Sequence, residues 1–455
     1  MTNLKYLYHD LYHEHKKISG LNLDNLSLME ARKLINTCLD RHSPFVKQAK
    51  QARAYYLNHN DIKRQSGPEE MAKQLKLEYN PLRSADYRIS HNWHNLLVNQ
   101  KAAYLFSWAP TFDSGEEQLN RRLNGVLGSK MAKIAKDLVV EASNTGVGWL
   151  HSWIDAKGAF HYAVVPSEQV IPLYSDDLQH QLQAVLRVYH QSDDLKYELW
   201  TDKQVVFYSQ KGQAKIQEEG RLAHSLGGMP FVPFYNNSQQ EGDLCMYKDL
   251  IDQYDKVVSG YANDLTDIQE IVFVLRNYGG EDLATFLSEL KRYKAIKVDG
   301  EGGAGGGLET MSIDIPIEAR REFLTLLRKQ IFISGQGVDP DPAGFGNASG
   351  VALKYLYSLL EIKAGLLETE FRAGFAELLR LILRYLGVDP DCSIQQIYVR
   401  NSIENDLETS KIARESLDII SKKSILQNHP WVEDAESEQK ALQREKLKVA
   451  EDKKE

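Results

Sequence analysis

The sequence predicts an α+β protein: helices at both ends and a β-rich module between them. Three observations carry this. Apolar residues recur every third or fourth position before Gly146, the period shortens to two between Val147 and Phe234, and long helical stripes return after Gly242. At 455 residues the chain exceeds the ~250–300 residues at which single cores stop growing, so about two to four domains are expected.

The helical N-terminal part is read from Leu26–Asp40 and from Ser43–Tyr56, with Ser43-Pro44 as a fresh helix start. His91–Phe106 continues the pattern. Met131, Ile134, Leu138 and Ala142 then make one more amphipathic stripe. Val147–Ile154 and Phe160–Val165 flank Asp155-Ala-Lys-Gly158, a hairpin signal. Further strands are expected at 170–174, 184–189, 197–201, 205–208 and 231–234.

From Tyr247 to Ile268 a long apolar stripe predicts a helix, and Asp249, Asp252 and Asp255 lie on its other side, as on a solvated helix face. Val272–Leu275, a helix near 283–290 and the strand Ala295–Val298 follow. Gly300–Gly307 is almost all glycine and predicts a flexible loop, with Met311–Ile315 as a partner strand. Ile317–Ile333 is helical. Residues 335–350 are interrupted throughout by Pro and Gly and cannot be helix. Val351–Leu386 is a helix of about ten turns, which Gly365 and Gly374 are expected to bend. Ile403–Ser421 and Val432–Lys454 complete a helical tail.

Composition narrows function. No apolar run is long enough to span a membrane, and Met1–Asp10 holds no continuous apolar signal core, so neither a membrane nor secretion is expected. Cys38, Cys245 and Cys392 form no pair motif, which fits free thiols and no zinc site. Net charge is −8, so any contact with DNA phosphates is expected to be loose.

Candidate chemistry is sparse. The tract GEGGAGGG lacks the Lys-Ser/Thr ending of a phosphate-binding loop and reads as a loop between strands. His91-Asn-Trp-His94 lacks the further ligands zinc needs and reads as a polar helix start. The string Phe345–Gly350 matches no catalytic motif; Asn347 or Ser349 would cap the next helix. No cofactor is expected. A rival reading is a nuclease with Asp252 and Asp255 on Mg²⁺.

Several strings together resemble the portal proteins of tailed phages, in the subgroup common among long-tailed phages of Gram-positive hosts. They are Tyr55-Tyr-Leu-Asn-His-Asn-Asp61-Ile62, then Arg88-Ile-Ser-His-Asn92 with Lys101-Ala-Ala-Tyr104-Leu105. The family usually continues there with Gly; this chain has Phe106-Ser107. His224–Asn237, Leu250–Ser259 and Asn347–Lys354 follow in the family's order.

The resemblance implies a non-enzymatic subunit of a ring, typically of twelve copies, at one capsid vertex. Double-stranded DNA would enter and leave through it without sequence readout. By position, 1–245 would be the wing, 246–270 and 316–334 stem helices, 271–315 the clip, 335–350 the tunnel loop, 351–390 the long wing helix and 391–455 the crown. The clip, with Gly300, Glu301, Gly305 and Glu309, would meet the terminase large subunit and later the head-completion adaptor. Wing and crown would meet scaffold and major capsid protein. The tunnel loop would present Asp339, Asp341, Phe345, Asn347 and Ser349 to DNA, and Asp249, Asp252 and Asp255 would repeat around the ring as an acidic band. The particle would belong to the virion and assemble in the host cytoplasm.

Overall fold

The structure, a computed structural model, describes residues 22–64, 85–175, 177–267, 272–276, 307–311, 316–340, 350–400, 406–417 and 419–427, with 438–444 and a few single positions beyond. In chain order, α1 is Leu28–Tyr56, α2 Trp93–Phe106, β1 Thr111–Asp113, α3 Glu117–Leu127 and α4 Met131–Thr145. The β module holds β2 Val147–Ile154, β3 Phe160–Val165, β4 Val170–Tyr174, β5 Leu182–Gln191, β6 Asp194–Trp200, β7 Gln204–Lys211, β8 Gln217–Ala223 and β9 Phe231–Tyr235. Then come α5 Lys248–Asp267, β10 Val272–Arg276, β11 Gly307–Met311, α6 Ile317–Gly335, α7 Gly350–Tyr385, β12 Gln395–Ile397, α8 Asp406–Glu415 and α9 Lys422–Gln427.

The chain forms two compact units. The first comprises Met1–Arg53, His94–Met246 and Phe332–Glu455; the second comprises Ala54–Trp93 and Tyr247–Ile331. Residues 54–93 therefore fold with the segment that follows the β module.

In the first unit, β4-β5-β6-β7-β8 form an antiparallel sheet and β3-β2-β9 a second. Leu34, Ile35 and Cys38 of α1 cover the larger sheet, packing with Leu186, Leu199 and Val206. Burial pushes the Cys38 thiol up to about 12, so it stays protonated and unreactive. α4 and α7 both pack on one face of the smaller sheet: Leu138, Leu150, Phe234, Phe371 and Phe375 share one core. β1 and β12 pair antiparallel, Phe112 opposite Gln396.

Local chemistry sets several boundaries. Ser27 and Glu30 form a capping box at the start of α1, with the Glu30 carboxylate accepting from the Ser27 N–H at 2.9 Å. α4 stops at Gly146, whose φ of +89° favours glycine and whose N–H donates to the Ala142 carbonyl.

Three expectations are corrected. α1 is one helix with Pro44 inside it, not two. Ala31–Cys38 are buried in one cluster before the proline and Phe45 packs on another just after it. Burial on both sides holds the helix through the missing hydrogen bond. β8 was not expected, because its polar sequence alternates nothing; it is an exposed sheet edge. The tract 300–307, expected to be loop, ends in a strand: β11 begins at Gly307 and pairs with β10, Val272 opposite Met311, while residues 312–315 of the strand anticipated at 311–315 lie outside the described residues. At Gly374 of α7 a Cβ would lie 2.6 Å from the buried Phe234 ring, so the glycine admits close helix–sheet packing. The expectations at 283–290, 295–298 and most of 432–454 lie outside the described residues.

Candidate functional site

Two places gather the polar residues that bear on function. The first lies in the second unit, on α5. Of the three carboxylates read from sequence as a solvated face, only Asp249 is exposed. Asp252 accepts from the Tyr55 hydroxyl and from Lys248 Nζ at 2.5 Å. Lys248 also pairs with Asp61 at 2.8 Å. Burial, then the bond to Asp252, holds the Tyr55 phenol above its usual range, so it remains a donor.

Asp255 is fully buried. It accepts from the His91 N–H at 3.0 Å, from His91 Nδ1 at 2.7 Å and from Asn60 Nδ2 at 2.5 Å. The fully exposed part of the acidic face expected there is thus reduced to Asp249, while half-buried Asp252 and buried Asp255 brace residues that precede α2. Sequence periodicity missed this because the covering groups Tyr55, Asn60 and His91 are polar and come from 164 to 197 positions away.

The bracing has a regular form. The Ile89 N–H donates to Ser259 Oγ at 2.9 Å and the Tyr87 N–H to Asn263 Oδ1 at 2.6 Å. Alternate backbone groups at 91, 89 and 87 therefore meet side chains at 255, 259 and 263. One turn of helix advances about 6 Å over four residues, and two extended residues advance about 6.6 Å. The near match lets a strap run alongside α5, one rung per turn. The signal in the sequence is Asp, Ser and Asn at four-residue spacing. His91 stacks on Trp93 and meets the edge of Tyr254.

The second place lies in the first unit, where the segment after α6 begins. Asp243 is buried between two lysines, Lys101 Nζ at 2.7 Å and Lys363 Nζ at 2.9 Å. Asn236 Nδ2 donates to its other oxygen at 2.8 Å. Burial works against the Asp243 charge, but the two lysines overcome it and hold the carboxyl well below the usual range. Burial pushes Lys101 down to about 8 against the pull of Asp243, and Lys363 adds to the push. His94 beside them is pushed by burial down to about 4 and bonds Asn144 at 3.0 Å. The two histidines read together in sequence thus serve different partners.

Asp339 lies half-buried at the end of this segment. Asp341, Phe345, Asn347 and Ser349 lie outside the described residues, as do Gly300, Glu301 and Gly305. Glu309 sits in β11 opposite Val274. Among the described residues no cluster of His, Cys, Asp and Glu could hold a metal ion. No described helix is long and apolar enough to cross a membrane.

The carboxylates at both places hold backbone and neighbouring side chains in position. The chain belongs to the phage portal protein family, SPP1 Gp6-like, which matches residues 35–452. It is 46% identical over 419 residues to the portal protein of Clostridium phage phiCD119, covering 87% of this chain and 92% of that protein. It is 30% identical over 447 residues to the portal protein of Bacillus phage SPP1, covering 92% and 87%. A chain in the solved neck of an empty GTA particle aligns over 74% of this chain and 89% of its own length, at 11% identity and a TM-score of 0.45. Portal proteins are structural, non-enzymatic channel proteins of the capsid vertex, so the expectations of an α+β portal subunit and of no enzyme hold on family grounds.

Proposed function

We propose that twelve copies of this chain close into a ring around a channel that double-stranded DNA crosses during packaging and ejection. The family match across residues 35–452 carries this reading. A heterologous interface repeated by rotation closes such a ring and presents the same segment of every copy to a shared axis. Readout of base sequence would hinder passage, so the channel works by shape and electrostatics.

In this reading the first unit supplies wing, long wing helix and crown, and the second supplies both stem helices, the clip and residues 54–93. Asp249 is the stem carboxylate available to an acidic band. The clip, including Glu309, docks the terminase large subunit and then the head-completion adaptor, while wing and crown meet scaffold and capsid protein. Assembly takes place in the host cytoplasm. Asp339 opens the part of 335–350 that faces DNA.

Native mass spectrometry and electron microscopy of the purified protein test the ring: a twelvefold particle with a central hole is expected, and a monomer that never closes under assembly conditions overturns the proposal. Deleting 339–346 is expected to impair DNA packaging far more than ring formation. Normal packaging by that deletion would refute the tunnel-loop assignment.

A further inference from the structure

The segment that opens the proposed tunnel loop is tightly held at its base, within the first unit. α6 ends at Gly335, and 335–338 are fastened to α2 and α7 in three independent ways. The Gln100 side-chain amide makes a two-point bond to Val338: Nε2 donates to its carbonyl at 2.7 Å, and Oε1 accepts from its N–H at 3.0 Å. Lys363 Nζ donates to the Gly335 carbonyl at 2.8 Å while holding Asp243. That carbonyl belongs to the last turn of a helix, which has no intrahelical donor and lies at the negative end of the helix dipole.

The third fastening is steric. A Cβ on Gly335 would fall 2.5 Å from Leu97 Cδ1, and one on Gly337 would fall 2.3 Å from Leu97 Cδ2, so both glycines sit against the buried Leu97 side chain of α2, which a larger residue would have to displace. Between them Gln336 has φ +52°, and its N–H and that of Gly337 close the helix end onto Ile333 and Phe332. Val338 is then buried with Tyr104, Leu360 and Ala364. The sequence 335–338 is therefore a docked stalk, although its composition is that of a loop.

We propose that Gln100 and Lys363 are positioning residues for DNA passage: they root the stalk 335–338 on α2 and α7, so that the tunnel loop proper starts at Asp339. This rests on the tunnel-loop reading of 335–350. DNA moving along a channel loads the loops that touch it sideways. A root fixed by backbone bonds keeps the loop in register under that load, and a root without them gives way.

Gln100→Met tests it, since methionine matches the length but makes neither bond. Rings of Q100M are expected at native mass, with Val338 amide exchange faster by about tenfold or more, equivalent to about 1.4 kcal/mol. DNA packaged per ring is expected to fall at least about tenfold. Gln100→Glu keeps the acceptor and loses the donor, and is expected to fall between Q100M and native in both exchange and packaging. Should Q100M not form rings, Gln100→Asn, polar but one methylene short, takes its place with the same expectations. Fast exchange at Val338 with packaging within about twofold of native overturns the proposal, provided deletion of 339–346 blocks packaging. If that deletion also packages normally, the tunnel-loop reading itself has failed.

Discussion

Replacing Asp255 by alanine should free the strap 85–91 from α5. The carboxylate is fully buried and accepts three hydrogen bonds, from the His91 N–H, His91 Nδ1 and Asn60 Nδ2. A hydrogen bond to a charged group contributes about 1.5–3 kcal/mol, and deleting one partner of a buried charged contact costs about 3–5 kcal/mol. The His91 side chain is 29% exposed and gains water once released, so the lower figure applies. About 3 kcal/mol makes local opening more than ~100-fold more frequent, at 1.36 kcal/mol per factor of ten. Hydrogen exchange read on peptides covering 85–92 should show that acceleration in D255A rings. Asp249→Ala is the control: the side chain is exposed in the first turn of α5. Its loss removes only a helix-dipole interaction of at most about 1 kcal/mol. Unchanged exchange in D255A, or an equal effect in D249A, would refute the account of the strap.

Two glycines of α7 should respond with opposite signs. Gly365→Ala meets open space and should stabilise by about 0.5–1 kcal/mol, while Gly374→Ala drives a methyl against the Phe234 ring and should cost about 1–3 kcal/mol. Thermal unfolding of the two variants decides this, and shifts of the same sign contradict it. Burial lowers Lys101 from 10.5 to about 8, so between those values the unfolded chain binds the extra proton. Its contribution is therefore present above 10.5 and is lost as pH falls through about 8, with a slope of at most about 1.4 kcal/mol per pH unit. Native protein should gain stability relative to Lys101→Met between pH 8 and pH 10; parallel curves would be evidence against the buried charge. Ser259→Ala removes the middle rung of the strap, and should speed exchange at Ile89 more than at His91.

Much of the architecture was legible because it rests on local periodicity. Strands 147–154, 160–165 and 170–174 have the boundaries their alternation implies, and the long helix after 350 follows an unbroken apolar stripe. Pro44 misled because a helix tolerates proline when core contacts on both flanks outweigh one missing bond, and those contacts come from distant strands. The composition of 335–338 misled likewise: glycine signals freedom locally, yet here it signals approach to Leu97.

By itself, then, the sequence determined the order of elements, the mixed fold class and family membership, since those depend on the spacing of residue types along the chain. Only the tertiary structure decided what the charged groups do. A helical projection places Asp252 off the apolar stripe of α5 and Asp255 at its border, and segments far away in sequence cover them with Tyr55, Asn60 and His91. Whether a carboxylate repels DNA or braces the backbone depends on which donors surround it. Three-dimensional packing brings those donors together, and the linear pattern does not record it.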